Sequence, residues 1–208
     1  MAVIVAFGDS NTWGYDPATL TRFAPDIRWT GVMRHALGAE HTVIEEGLNG
    51  RTTVFLDPIE PDRRGSDYLP PCLRSHAPLN LLLIALGCND MKSRFGVSAA
   101  DIALGAERLV LMAKAEKVAP GAASPKIVLV APPPMAKLTG FADMFVGAEE
   151  KSKALAGRYR EVAERQEIGF VDAGEFIHAS DLDGIHFEAD QHAILGRVLA
   201  EASRMMFD

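Results

Sequence analysis

The alternation of short apolar runs with helical periodicity predicts an α/β protein, a three-layer α/β/α sandwich around a parallel sheet in flavodoxin-like strand order. Three observations support this class. Five runs rich in aliphatic residues have the length of strands buried on both faces. Helical patterns separate them, and parallel neighbours need such crossovers. Turns containing glycine and asparagine follow the first three runs, at the carboxyl ends of strands where sheets of this type bind ligands.

The first run, Ala2 to Phe7, carries no charge, and runs at His41–Glu45, Asn80–Leu86 and Lys126–Ala131 have similar lengths and aliphatic centres. Ile168–Val171 is a weaker fifth. Helices are predicted over Thr30–Leu37, Ala99–Val118, Glu149–Gln166 and Ala189–Met206, where apolar residues recur every three or four positions. The cluster Pro132-Pro133-Pro134 can neither continue a strand nor begin a helix cleanly. Pro132–Phe141 is therefore expected to be an irregular loop over the same sheet edge as the glycine turns.

Composition excludes several classes. With 208 residues, 48% of them hydrophobic, the chain is long enough for one sizeable core, and no linker, repeat or low-complexity tract divides it, so 1–208 is read as one domain. A net charge of −7, with Lys and Arg scattered, argues against a nucleic-acid partner. No stretch approaches the ~18 apolar residues of a membrane span, and Ala2–Phe7 lacks the basic flank of a signal peptide, so a cytoplasmic protein with no membrane partner is expected. Cys72 and Cys88 have no metal-ligand spacing with a second Cys or His and are read as reduced thiols.

Chemistry enters with Gly8-Asp9-Ser10-Asn11 after the first run and Asp183-Gly184-Ile185-His186 near the far end. A serine hydroxyl is a weak nucleophile until an imidazole takes its proton and a carboxylate fixes the imidazole tautomer. Ser10, His186 and Asp183 suit those roles, and one turn can present Asp183 and His186 together. An oxyanion needs preorganised donors. The backbone N–H groups of Ser10 and Gly50 and the side-chain amide of Asn89 are available in three loops expected to converge. Each motif alone also reads as an ordinary turn, since Gly, Asp, Ser and Asn suit turns for backbone reasons. Their conjunction is what points to catalysis.

Gly8-Asp9-Ser10, the Gly50 turn, Gly87-Cys88-Asn89-Asp90 and Asp183-x-x-His186 resemble the four blocks of the SGNH (GDSL-type) hydrolases, in order across nearly the whole chain. Arg22–Gly31, Glu45-Glu46-Gly47, Arg51-Thr52-Thr53, Tyr68-Leu69-Pro70 and Asp101–Gly105 are similar to the bacterial arylesterase/acyltransferase subgroup. The resemblance implies Ser10 as nucleophile, His186 as base, Asp183 as its orienter, and Ser10, Gly50 and Asn89 as oxyanion donors. It also implies a homo-oligomer. The activity is expected to need no metal or cofactor, because the sequence offers no ligand cluster and the mechanism uses none.

Trp13, Tyr15, Phe141, Phe145 and Ile185 are candidate pocket residues, with Phe141 and Phe145 as a lid. The same aromatics also suit plain packing or a protomer contact. The expected activity is hydrolysis of short-chain aryl or carbohydrate acetates through an acyl-Ser10, with acyl transfer to alcohols. A thioesterase or lysophospholipase, or a non-catalytic module binding an acylated ligand, are the alternatives.

Overall fold

All five expected strands form, and the sheet is parallel throughout in the order β2-β1-β3-β4-β5. The computed structural model describes residues 2–207. In chain order the elements are β1 (Ala2–Gly8), α1 (Ser10–Trp13), α2 (Trp29–Leu37), β2 (His41–Gly47), α3 (Gly65–Ser75), β3 (Leu81–Ala85), α4 (Ala99–Ala115), β4 (Lys126–Ala131), α5 (Ala148–Arg165), β5 (Gly169–Asp172) and α6 (Ala189–Phe207).

Strand alternation divides the apolar residues between two cores. Ile4, Ala6, Leu81, Leu83, Val128 and Val130 face α2 and α6, meeting Trp29, Met33, Leu195 and Leu199. Val5, Phe7, Leu82, Ile84, Ile127 and Leu129 face α3, α4 and α5. Strands buried on both sides are what continuous apolar runs require, and the three layers follow.

Two differences from the predicted elements have local causes. Helix α3 has no counterpart among the predicted elements, and Pro70 and Pro71 lie inside it, each costing ~3 kcal/mol in a helix interior. Burial of Leu69, Cys72 and Leu73 against the core offsets that cost, at roughly 1.5–3 kcal/mol for a large apolar side chain. Helix α4 stops at Ala115 rather than Val118. Glu116 turns extended, and the Val118 carbonyl accepts a bond from the Leu79 amide at 2.9 Å, tying the helix exit to the start of β3.

Register places the site. Gly8 at the end of β1 pairs with Gly47 of β2 on one side and with Ala85 of β3 on the other. Ser10, Gly50 and Asn89 therefore leave one line of strand ends, at the point where the chain switches from one side of β1 to the other. A Cβ on Gly47 would stand 2.1 Å from the Trp13 amide nitrogen, so only glycine lets α1 lie against the end of β2.

His192 on α6 packs within the core. It is fully buried, faces the rings of Phe23 and Phe187, and its Nδ1 accepts from the Trp29 amide at 3.3 Å. Burial pushes its pKa down to about 4. Among the described residues no helix is long and apolar enough to cross a membrane.

Candidate active site

Strand β1 ends one residue before Asp9, whose side chain caps α1 by accepting from the Asn11 amide at 3.0 Å. Ser10 is thus the first helical residue, and a first-turn amide has no acceptor within its own helix. Its hydroxyl lies 2.9 Å from His186 Nε2, and His186 Nδ1 lies 2.6 Å from Asp183 Oδ2. Asp183 Oδ1 accepts from the amides of Ile185 at 2.8 Å and His186 at 2.9 Å. That local turn fixes the carboxylate before the imidazole uses it. The Asn11 side-chain amide donates to the Ile185 carbonyl at 3.4 Å, linking the two distant ends of the chain beside the hydroxyl.

Burial acts to raise the Asp183 pKa, but the bond and charge of His186 and the two backbone amides outweigh it, and the pKa falls below the usual value. Asp183 is therefore ionised at neutral pH. With Nδ1–H held by this carboxylate, Nε2 is the free basic nitrogen and accepts the Ser10 O–H.

Ser10, Gly50 and Asn89 line one cavity of about 140 Å³ with His186. Asn89 Nδ2 gives one hydrogen to the Arg51 carbonyl at 3.2 Å, which orients the amide and leaves its second N–H. The Gly50 amide makes no bond to backbone among the described residues. Gly50 has a left-handed φ of 78°, so even alanine would be strained there. Asp90, next to Asn89, accepts from the Thr53 amide at 2.9 Å and from its hydroxyl, clamping the loop after β2 to the one after β3.

Of the five candidate pocket residues, Tyr15, Phe141, Phe145 and Ile185 line the cavity. The Tyr15 ring centroid lies 4.2 Å from that of His186 and the Phe141 ring meets it edge-on at 6.1 Å. Trp13 does not line it. Its ring stacks under the Arg22 guanidinium at 4.9 Å and its carbonyl accepts from Arg22 Nε at 2.7 Å, because the turn of α1 carries Trp13 toward β2 and away from Ser10. The loop from Pro132 is irregular as expected. Bonds from the Ala136 amide to the Gly184 carbonyl and from the Thr139 hydroxyl to the Leu182 carbonyl brace the Asp183 turn.

Asn49, Glu60, Lys92 and Met144 also line the cavity and were not foreseen. Lys92 is buried against Glu60 and Asp57, and Arg94 joins the same two carboxylates. Although burial opposes it, the Ile59 amide, Arg94 and the remaining donors hold the Asp57 pKa at about 2. Asn49, adjacent to Gly50, was the one with a nearby signal.

Residues 6–194 match the GDSL-like lipase/acylhydrolase family. The chain belongs to that family, within the SGNH hydrolases. Among solved structures it is similar to the native M. smegmatis aryl esterase, with 43% identity over 99% of this chain and 100% of that one and a TM-score of 0.95. It is likewise similar to Est24, a carbohydrate acetylesterase from Sinorhizobium meliloti, with 39% identity over 100% of both chains and a TM-score of 0.96. Among curated proteins no sequence matches.

The family's Gly-Asp-Ser turn carries a stability consequence. Burial pushes the Asp9 pKa from 3.8 up to about 6, against the bond from Asn11 and the charges of His186 and Arg51. Between those values the folded chain holds the proton more tightly than the unfolded chain, so this carboxyl's contribution to stability falls as pH rises through the window. Asp9→Asn keeps an acceptor for the Asn11 amide and removes the titration. Its melting temperature relative to the native chain should rise from pH 4 to pH 7; a difference independent of pH would remove Asp9 as the cause.

Proposed function

We propose that this carboxylic-ester hydrolase cleaves short-chain acyl esters, aryl or carbohydrate acetates among them, through an acyl-Ser10 intermediate. The observation that carries the reading is the unbroken line from Ser10 Oγ through His186 to Asp183, opening on a small cavity beside three hydrogen-bond donors. Ser10 Oγ attacks the ester carbonyl carbon as His186 Nε2 takes its proton, and the oxyanion meets the Ser10 and Gly50 amides and Asn89 Nδ2. The C–O bond then breaks, and His186 returns the proton to the departing alcohol. Water, or a second alcohol, gives its proton to Nε2 and attacks the acyl carbon, and the Ser10 oxygen takes that proton back as its bond to the acyl carbon breaks.

Similarity to the M. smegmatis aryl esterase and the S. meliloti carbohydrate acetylesterase supports aryl esters and carbohydrate acetates as substrates. A cavity of about 140 Å³ disfavours the long chains of a lysophospholipase. Release of p-nitrophenol from its acetate is the direct assay, and silence there would favour a binding module. Two free buried thiols support a reducing, cytoplasmic setting.

If Ser10 and His186 act as one unit, Ser10→Ala and His186→Ala each lower kcat by on the order of 10⁴ or more, and the double variant is scarcely worse. Strictly multiplicative losses would sink the assignment.

Asn89→Ala should lower kcat by roughly 10²–10³ with KM little changed, the scale of one lost oxyanion donor. A rise in KM alone would make Asn89 a binding residue.

Acyl transfer to alcohols forms part of the proposal, since Tyr15, Phe141, Met144, Phe145 and Ile185 present an apolar wall that disfavours water over an alcohol at the acyl-serine. Exposed Leu20, Leu56, Ile59 and Val146 support assembly into a homo-oligomer. Incubation of vinyl acetate with benzyl alcohol in mostly aqueous buffer should yield benzyl acetate by chromatography. Acetic acid alone would leave a plain esterase, and elution as a monomer would remove the proposed assembly.

A further inference from the structure

Away from the esterase cavity, three ligating side chains converge where α3 crosses the end of β2. Cys72 lies on α3 and His76 caps its C-terminal end, four positions on, where the His76 amide donates to the Cys72 carbonyl at 3.2 Å and keeps the two residues on one side of the helix. Glu46, the second-last residue of β2, faces them, and its Oε1 lies 2.6 Å from His76 Nε2. The ligating atoms of all three lie within 4.8 Å of one another. We propose that Glu46, Cys72 and His76 form a binding site for a divalent transition metal of the zinc or cobalt class, clipping α3 to the sheet.

The donor set decides the class of ion. A thiolate and an imidazole beside one carboxylate suit zinc or cobalt, whereas calcium and magnesium take oxygen ligands. Bonds of about 2.0–2.3 Å in a tetrahedral centre put neighbouring ligand atoms roughly 3.5 Å apart. An entering ion would spread His76 from Glu46 and draw Cys72 inward, which side-chain rotation can supply. A neighbouring cavity of about 480 Å³, lined by Glu46, Arg51 and Tyr68, gives an ion and a fourth, water ligand their route.

Cys72 packs in the core under α3 with no disulfide partner, and an ion that displaces its thiol proton would make it a thiolate ligand. The Arg51 guanidinium nearby opposes a second cation, but its bond goes to the Glu46 carbonyl and not to the carboxylate. None of the three proposed ligands lines the esterase cavity, so the site is separate from Ser10. The Cys72-x-x-x-His76 spacing was present in the sequence but has meaning only on a helix, and α3 was hidden by its prolines.

Metal-stripped protein titrated with Co²⁺ should develop a thiolate-to-cobalt charge-transfer band in the near ultraviolet, with one ion bound per chain and displacement by Zn²⁺. Cys72→Ser should abolish the band, and His76→Ala should weaken Co²⁺ binding at least tenfold. Zn²⁺ should also raise the melting temperature of the native chain and not that of His76→Ala. No thiolate band in the native protein, or the same band in Cys72→Ser, would overturn the site. Should Cys72→Ser fail to fold, His76→Ala at the half-buried end of α3 decides, and undiminished affinity there refutes the proposal.

Discussion

The site depends first on the buried guanidinium of Arg51. Only 3% of this residue is exposed, and its Nη1 donates to the Gly8 carbonyl at 2.9 Å and to the Glu46 carbonyl, at the ends of β1 and β2. A carbonyl oxygen has two acceptor sites, and at Gly8 the Leu48 amide fills one at 3.1 Å while Arg51 fills the other. One cation thus ties the end of β1 to the end of β2, lying over Phe7 at 4.3 Å and near Tyr68 at 5.3 Å. Burial lowers its pKa, and the neighbouring acids, Glu46 and Asp9 among them, act in the opposite sense. Its own carbonyl orients the Asn89 amide. The strand that leads to Ser10, the turn that holds Gly50 and the loop that carries Asn89 therefore share one anchor.

Around that anchor, stability has been given up for geometry. Asp9 and Asp90 are both buried with pKa values raised to about 6, the signature of carboxylates held where solvent cannot reach them. Asp9 holds the turn that exposes the Ser10 hydroxyl, and Asp90 fixes the loop behind Gly50. Apolar residues at either place would be cheaper to bury. They would leave the Asn11 and Thr53 amides unpaired and loosen the donors by the fraction of an ångström that separates an oxyanion hole from a turn.

The sequence made legible whatever rests on periodicity or on a single turn. Runs such as Ala2–Phe7 could only be strands buried on both faces, and Asp183 and His186 meet within one turn, so the sheet and the hydrogen-bonded pair could be read directly. What escaped depends on contacts between distant segments. Helix α3 survives its two prolines through core burial that no local propensity encodes. Trp13 follows Ser10 closely in sequence, yet the helical turn between them sends the indole toward Arg22. Glu60 and Lys92 reach the cavity through a cluster whose ion pairs each span 32 positions or more. Irregular loops offer no period by which to see it.

The cavity walls also constrain the base. Tyr15 and Phe141 both pack against the His186 imidazole, while Asp183 holds its far nitrogen. Rotation about the ring's χ angles would break the Asp183 bond and collide with an aromatic, so the imidazole offers Nε2 in one direction. In the proposed reaction the same nitrogen takes the proton from Ser10 in the first half and from the incoming nucleophile in the second. A fixed ring serves both halves only if that nucleophile approaches along the path the leaving alcohol took. In the proposed reaction the apolar wall from Phe141 to Phe145, and Ile185 beside it, would act at the step where the acyl group leaves Ser10, selecting its acceptor.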